Sequence, residues 1–513
     1  CFALSRADLS DDLVVLGPYA FENCKKLESF DVGGCLLRLE EGVFDGCTAL
    51  KNVQLHEVME IGAAAFRNCS SLQKLDAPGV LSIGDDAFNG CSALETITFA
   101  KQLSSFGVRS FYNCTSLTRI NIPDGVTVIP QQAFYQCTSL NGISLPDSVT
   151  TVEEEAFKLC RSAATIRLSN QLASIGQGAF YGCESFAGKQ QFTPSGSSTP
   201  IATTLLILPE TLTFIGDSAF EACAKLDGVK FPEHLNAIGS YAFQNCTSLS
   251  RAILPDDLQH FGKAVFAGCT SLTEVSIPHD ISRIAVNTFD GCTALQTVHL
   301  PAGTDLIADS AFNGCTALQR VEYGGTVSNW HNVQIEDHND VLYTTPISCS
   351  NGDTFGHKTY RGTLSNGIEW SLVNDGTLTL RGTGPMVDFD PDAADDASTM
   401  PWQDVKSEIL HVVYEAGITT TGCNAFSGCP KLVSVTLPDT MTQIGSNTFS
   451  SCPRLEQVTI PDSVTEINAS AFSGSALTQV SAPGVTEIGV NAFGNCQKLT
   501  RIDVSTPLGK RRV

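Results

Sequence analysis

Basic side chains are scarce in this sequence: 31 Lys and Arg stand against 54 Asp and Glu, a formal net charge of −23 over 513 residues. That balance argues against nucleic acid and anionic membranes as partners, because both select basic faces. Aromatic residues are few at 8%, with only 3 Trp, and charged residues make up just 17%. No apolar run approaches the roughly 18 residues of a membrane helix, and no secretory signal opens the chain. Cysteine, by contrast, is plentiful. Its 20 copies suggest at first a disulfide-rich secreted protein, until their spacing is considered.

A phenylalanine, usually after Ala, recurs at Phe21, Phe44, Phe66, Phe88, Phe111, Phe134, Phe157 and Phe180. It resumes at Phe220, Phe243, Phe266, Phe289 and Phe312, and again at Phe426, Phe449, Phe472 and Phe493; most steps are 23 residues. Three residues after each Phe stands a cysteine: Cys24, Cys47, Cys69, Cys91, Cys114, Cys137, Cys160, Cys183, Cys223, Cys246, Cys269, Cys292, Cys315, Cys429, Cys452 and Cys496. Ser475 takes the place once. Between these marks, Leu140 to Leu145 alternates apolar and polar residues, which predicts a strand with one buried face. Pro146-Asp147 ends it, since proline donates nothing to a ladder and Pro-Asp favours a turn. One unit cannot bury its own apolar side, whereas stacked units, with strands about 4.8 Å apart, can. The sequence therefore predicts a solenoid.

The pattern Ile-Gly-x-x-Ala-Phe-x-x-Cys-x-x-Leu-x-x-Val-x-x-Pro, as at Ile215 to Pro232, resembles the BspA-like class of leucine-rich repeat and recurs over most of the chain. The resemblance implies a leucine-rich-repeat solenoid, mainly β with short helical or 3-10 turns. It also implies a secreted or cell-surface protein, of a type found in bacteria and some parasitic protists and implicated in adhesion. Cys1 and Leu4 fall in repeat register, so the chain is expected to begin inside a repeat. Gly509-Lys510-Arg511-Arg512 resembles neither repeat nor cap.

The expected organisation is repeats over 1–183, a loop insertion over 184–204, repeats over 205–320 and a block cap over 321–349. A small β spacer over 350–412, repeats over 413–504 and a tail over 505–513 complete it. The insertion adds seventeen residues to the usual step; its centre, Thr193 to Pro200, is composed like a flexible loop. Just beyond it the outward strand positions Leu205, Ile207 and Ile253 are apolar, so the loop is expected to fold back over them, or a partner to cover them. In the cap segment, Tyr323-Gly324-Gly325-Thr326, Trp330 and Leu342 resemble an element that closes such repeat blocks. The segment 350–412 carries short alternating strands, an Asn374-Asp375-Gly376 hairpin turn, and Trp370 and Trp402. It is expected to form a spacer touching both repeat blocks, with the tryptophans as its core.

Three features of the sequence carry candidate chemistry. The cysteines stand in one row beside the Phe, facing one way, so free buried thiols acting as small apolar fillers are expected rather than disulfides or zinc. Cys35, Cys349 and Cys423 lie outside the row. The acidic run Asp388, Asp390, Asp392, Asp395 and Asp396 echoes a calcium loop but lacks its glycine and closing glutamate, with Ala393 and Thr399 in those places. His331, Glu336, Asp337, His338 and Asp340 cluster without a nucleophile or phosphate-cradling loop. No catalytic residue, metal ligand or cofactor is expected, and the chain is read as non-enzymatic.

The outward strand positions remain. Arg119, Asn121, Arg167, Lys230, Arg251, Glu274, His299 and Arg320 vary from repeat to repeat while the inward row stays apolar. A solvated face needs only polarity, but stacked strands make a rigid platform of the kind solenoids use for recognition. The expected partner is a protein of a host or neighbouring cell; carbohydrate and a purely structural stalk are the rivals.

Overall fold

A computed structural model describes residues 3–7, 9–10, 12–188, 190–192, 201–203, 205–355, 360–373, 376–390 and 400–504. The chain divides into two compact units, Cys1–Gly356 and His357–Val513. Each is a β-solenoid; the described helices are one four-residue α-helix, Val327–Trp330, and two 3-10 turns, Asp340–Tyr343 and Gln403–Val405.

One turn shows how 23 residues coil. Gly142–Ser144 forms a strand on the first side, with Ile143 buried between outward neighbours, and pairs in parallel with Thr165–Arg167 of the next turn. After the Pro146-Asp147 corner, Thr151–Val152 forms a second side and pairs with Ser174–Ile175. The third side carries the Phe and Cys. There Gln132, Phe134 and Gln136 donate their N–H groups to the carbonyls of Glu154, Ala156 and Lys158 at 2.8–2.9 Å. Alternate N–H groups can all point toward the next turn because two residues per turn adopt left-handed φ. The residue just before Cys is one of them, at φ 62° in Asn113 and 77° in Gly90. Gly or Asn fills this position in thirteen of the seventeen repeats, as expected of residues that tolerate that conformation.

The core is a column of rings. Successive ladder phenylalanines of the first unit stack with centroids 5.1–6.1 Å apart. The insertion does not break the column: Phe180 and Phe220 lie 5.3 Å apart. On the second side Ser174–Ile175 pairs directly with Phe214–Ile215. On the first side the insertion separates Thr165–Arg167 from Leu205–Ile207. Within the expected loop 184–204 the chain forms an antiparallel hairpin, Gln190–Phe192 with Ile201–Thr203. Residues 193–200 lie outside the described residues, and with them the expected cover over Leu205, Ile207 and Ile253.

Beyond the insertion the first side becomes one eight-stranded sheet from Leu205–Ile207 to Gly352–Phe355, its last pair antiparallel. The strand Gly352–Phe355 belongs to this sheet, so the boundary between the units falls inside the segment 350–412. In the second unit Tyr360–Thr363 and Glu369–Leu372 add antiparallel strands to Thr377–Arg381, which pairs in parallel with the repeat strand His411–Tyr414. Trp402, fully buried, stacks on Phe426 at 5.2 Å and 9° and donates its indole N–H to the Ala425 carbonyl at 2.8 Å. Among the described residues, Tyr360–Thr363, Glu369–Leu372 and Thr377–Arg381 thus extend the sheet of the second solenoid, and Trp402 takes the place of a phenylalanine in its column.

Candidate recognition surface

The eight-stranded sheet aligns its outward side chains into two rows. Register places Leu205, Gly228, Arg251, Glu274, Thr297 and Arg320 in one. The other joins Ile207, Lys230 and Ile253, and further along Ser276, His299 and Glu322. Between them the inward residues Leu206, Val229, Ala252, Val275, Val298 and Val321 are all buried. Parallel pairing at fixed register forces this separation, since side chains alternate across a strand.

Of the eight polar residues singled out in the sequence, five share this sheet: Lys230, Arg251, Glu274, His299 and Arg320. Three of the five form a connected set. His299 Nε2 lies 2.8 Å from Glu274 Oε1 and its Nδ1 3.2 Å from Glu322 Oε2, while Arg320 Nη1 lies 3.7 Å from Glu322 Oε1. Arg119 and Asn121 are exposed in an earlier turn. Arg167 is engaged, donating to the Leu145 carbonyl at 2.7 Å and to Asp147 at 3.3 Å. Leu205, Ile207 and Ile253 are half-buried on the outward face, and Lys230 sits between the two isoleucines. A Cβ on Gly228 would come within 2.3 Å of Leu205 Cδ2; the glycine lets Leu205 lie down against the sheet.

The cysteines do not contribute to this surface. The ladder thiols are free, and nearly all are fully buried. Each thiol from Cys47 to Cys315 donates to the carbonyl of the phenylalanine one turn back, at 3.0–3.5 Å. Burial dominates their acidity: it pushes Cys91 up to about 12 despite the hydrogen bond that opposes it, so the nucleophilic thiolate is absent at neutral pH. Ser475 keeps its rung buried and contacts Cys496 Sγ at 3.3 Å. Cys1 lies outside the described residues.

The remaining polar clusters serve the fold. Asp388 Oδ1 accepts the Cys423 N–H at 2.7 Å, while Asp392, Asp395 and Asp396 lie outside the described residues. Glu336 accepts the Asp309 N–H at 3.0 Å, and His338 Nδ1 lies 2.8 Å from Asp309. Among the described residues no three His, Cys, Asp or Glu gather as a metal ion requires. Trp370 is 7% exposed and meets Trp402 edge-on at 5.4 Å, so neither ring offers a sugar-stacking face. Sequence reasoning passed over Asn339, the buried residue that closes the first repeat block; its only signal is an Asn 27 residues beyond Phe312.

A family model described as "BspA type Leucine rich repeat region (6 copies)" matches residues 1–81, 59–187, 200–319 and 405–510. The chain belongs to this family. BspA-type proteins are generally cell-surface proteins and leucine-rich repeats generally mediate protein interactions; the family is typically non-catalytic. Among solved structures, a leucine-rich repeat protein from Bacteroides ovatus is similar at 23% identity. It covers 66% of this chain and 88% of its own, with a TM-score of 0.49. A leucine-rich cell surface protein from Faecalibacterium prausnitzii is 28% identical over 62% of this chain and 85% of its own, TM-score 0.38. The T. pallidum leucine-rich repeat protein is 27% identical over 38% and 72%, TM-score 0.27. No curated protein matches. Among the described residues of this BspA-type chain, no helix is long and apolar enough to cross a membrane.

Proposed function

We propose that this BspA-type protein is a non-enzymatic recognition or adhesion protein of the cell surface, secreted or surface-bound, which holds a macromolecular partner on the outward face of the sheet beginning at Leu205. One observation supports this reading above others: a continuous register keeps the inward row apolar while the outward rows mix three apolar residues, Lys230, Arg251, Arg320 and the Glu274–His299–Glu322 set. Such a platform is rigid before binding, so little ordering entropy opposes association. The apolar residues lie on the first strands of the sheet around Lys230 and the charged set lies further along, so the face offers both apolar contact and charge, as protein interfaces do. The partner that fits is a protein of a host or neighbouring cell.

The test is binding of the purified chain to panels of extracellular-matrix proteins and of glycans. Saturable binding to a protein should weaken at least tenfold, about 1.4 kcal/mol, when Lys230, Arg251 and Arg320 are replaced by alanine together. Binding indifferent to all three removes this face and leaves the stalk reading; a hit confined to glycans replaces the protein partner.

A further inference from the structure

The second side of the solenoid carries an apolar stripe that the fold does not require. Val14, Leu37, Met59 and Leu81 take one position in four consecutive turns and are 65%, 54%, 47% and 39% exposed. The Met59 N–H donates to the Leu37 carbonyl and the Leu81 N–H to that of Met59, each at 2.8 Å. Val14 precedes Leu37 by one step of 23 residues. The next turns place Ser104, Thr127 and Thr150 there, and later ones Asn236, Gln259 and Ser282. A hydroxyl in this position donates one turn back, from Ser104 to the Leu81 carbonyl at 3.2 Å and from Thr150 to that of Thr127 at 3.3 Å. The four apolar side chains forgo that bond and face water. Val15, also 65% exposed, widens the stripe at one end. A contiguous exposed apolar row of this kind marks a contact surface.

Charge selects what covers it. By register, Asp12 and Glu57 border the stripe on one flank, and Arg38 and Glu60 on the other. Arg38 is shared between Glu40 at 3.4 Å and Glu60 at 3.5 Å, while His56 is held by Asp31 at 2.7 Å. Asp12 and Glu57 are exposed, and among the described residues neither meets a basic side chain. The rim is therefore acidic, like the chain as a whole at −23. A second copy would set carboxylates against carboxylates, and an anionic lipid surface would be repelled. The matching partner brings apolar contact and positive charge together.

We propose that the stripe docks an amphipathic helix of a partner protein, with Lys or Arg beside its apolar row. Four turns of the solenoid at about 4.8 Å advance about 14 Å. The i, i+4, i+7, i+11 row of a helix advances about 16 Å, whereas four alternate residues of a strand advance about 20 Å. A helix lying along the solenoid thus sets one apolar side chain against each turn, and its flanking cations face the acidic rim. Helices are recognised through such rows of anchors. This surface lies on a different side from the sheet beginning at Leu205 and does not depend on what that sheet binds.

The experiment titrates the full chain into a labelled helical peptide with Leu at i, i+4, i+7 and i+11 and Lys beside them, followed by fluorescence anisotropy. Saturable binding is expected, weakened at least about tenfold in the triple variant Leu37→Thr/Met59→Thr/Leu81→Thr. Threonine is a residue the fold itself uses at this position, and circular dichroism checks that the variant folds. Glu57→Lys, an exposed change that leaves the stripe intact, should weaken binding severalfold. Thr127→Ala, on the same side beyond the stripe, should bind like the parent. Four results would overturn the proposal: no saturation at millimolar peptide; equal binding of the same peptide with Glu in place of Lys; unchanged affinity in the threonine variant or in Glu57→Lys; or sedimentation showing a parent dimer that the threonine variant converts to monomer, which would make a second copy the occupant.

Discussion

Asn339 Oδ1 accepts the N–H of Phe312 at 2.9 Å, standing where a backbone carbonyl of the next turn stands for every other ladder phenylalanine of the first unit. Phe289, one turn earlier, donates to the Ala311 carbonyl at 2.8 Å. Asn339 is fully buried, and its amide nitrogen donates to the carbonyls of Ala308, Glu336 and Asp337 at 2.9–3.2 Å. One side chain thus supplies both the acceptor that a missing turn would offer and the donors that hold the cap over the last ring. A solenoid block ends cleanly because its terminal hydrogen bonds are met.

Replacing Asn339 by Ala should destabilise the first unit by about 2–3 kcal/mol, since it strands a buried N–H and several carbonyls. Asn339→Asp should be no better at neutral pH, because a buried carboxylate would face those carbonyls. Urea denaturation measures the loss, and amide exchange over residues 308–315 locates it. Unchanged protection there would show that the cap does not depend on this residue.

The thiols divide sharply by burial. In native protein at pH 8, a thiol reagent should modify Cys35, which is exposed, and more slowly the half-buried Cys349, Cys423 and Cys496. Rungs such as Cys91 and Cys315, both pushed to about 12 by burial, should react only after denaturation. Peptide mapping of the labelled sites gives the answer; rapid native labelling of Cys91 would mean that the column opens far more readily than its packing implies.

Ring position sets the cost of truncation. Phe134, stacked on both sides within 5.1–5.2 Å and fully buried, should lose about 3–5 kcal/mol on substitution by Ala. Phe493, half-buried and stacked against Phe472 at 5.5 Å, should lose distinctly less. Equal losses in chemical denaturation would contradict a column stabilised by its neighbours on either side.

The His338–Asp309 pair gives a pH signature. Asp309 holds His338 above its ordinary 6.5, and His338 holds Asp309 below its ordinary 3.8. The histidine contribution is fully present below 6.5 and is lost as pH rises through the raised folded value. The carboxylate contribution is present above 3.8 and is lost as pH falls through the lowered one. The pair therefore stabilises across the interval between, extending past both ordinary values. NMR titration of the His338 ring should place its midpoint above 6.5, and His338→Gln should return Asp309 toward its ordinary range.

Much of the fold was legible because a solenoid is nearly one-dimensional. A Phe every 23 residues can be satisfied only by stacking, so periodicity alone fixes which residues face inward. The thiol row followed from the same register, and so did the outward rows. The residue before the Cys, Gly or Asn in thirteen of the seventeen repeats, matters through its left-handed backbone only once the third side must bond to the next turn. Lost periodicity hid the rest. Trp402 continues the column of Phe426 although no repeat surrounds it, and Asn339 acts through a contact between residues 27 apart with no pattern between them. Sequence by itself determined what is buried, because burial repeats with the turn. Only the tertiary structure decided what ends each block and which exposed side chains meet, because those depend on single contacts that nothing repeats.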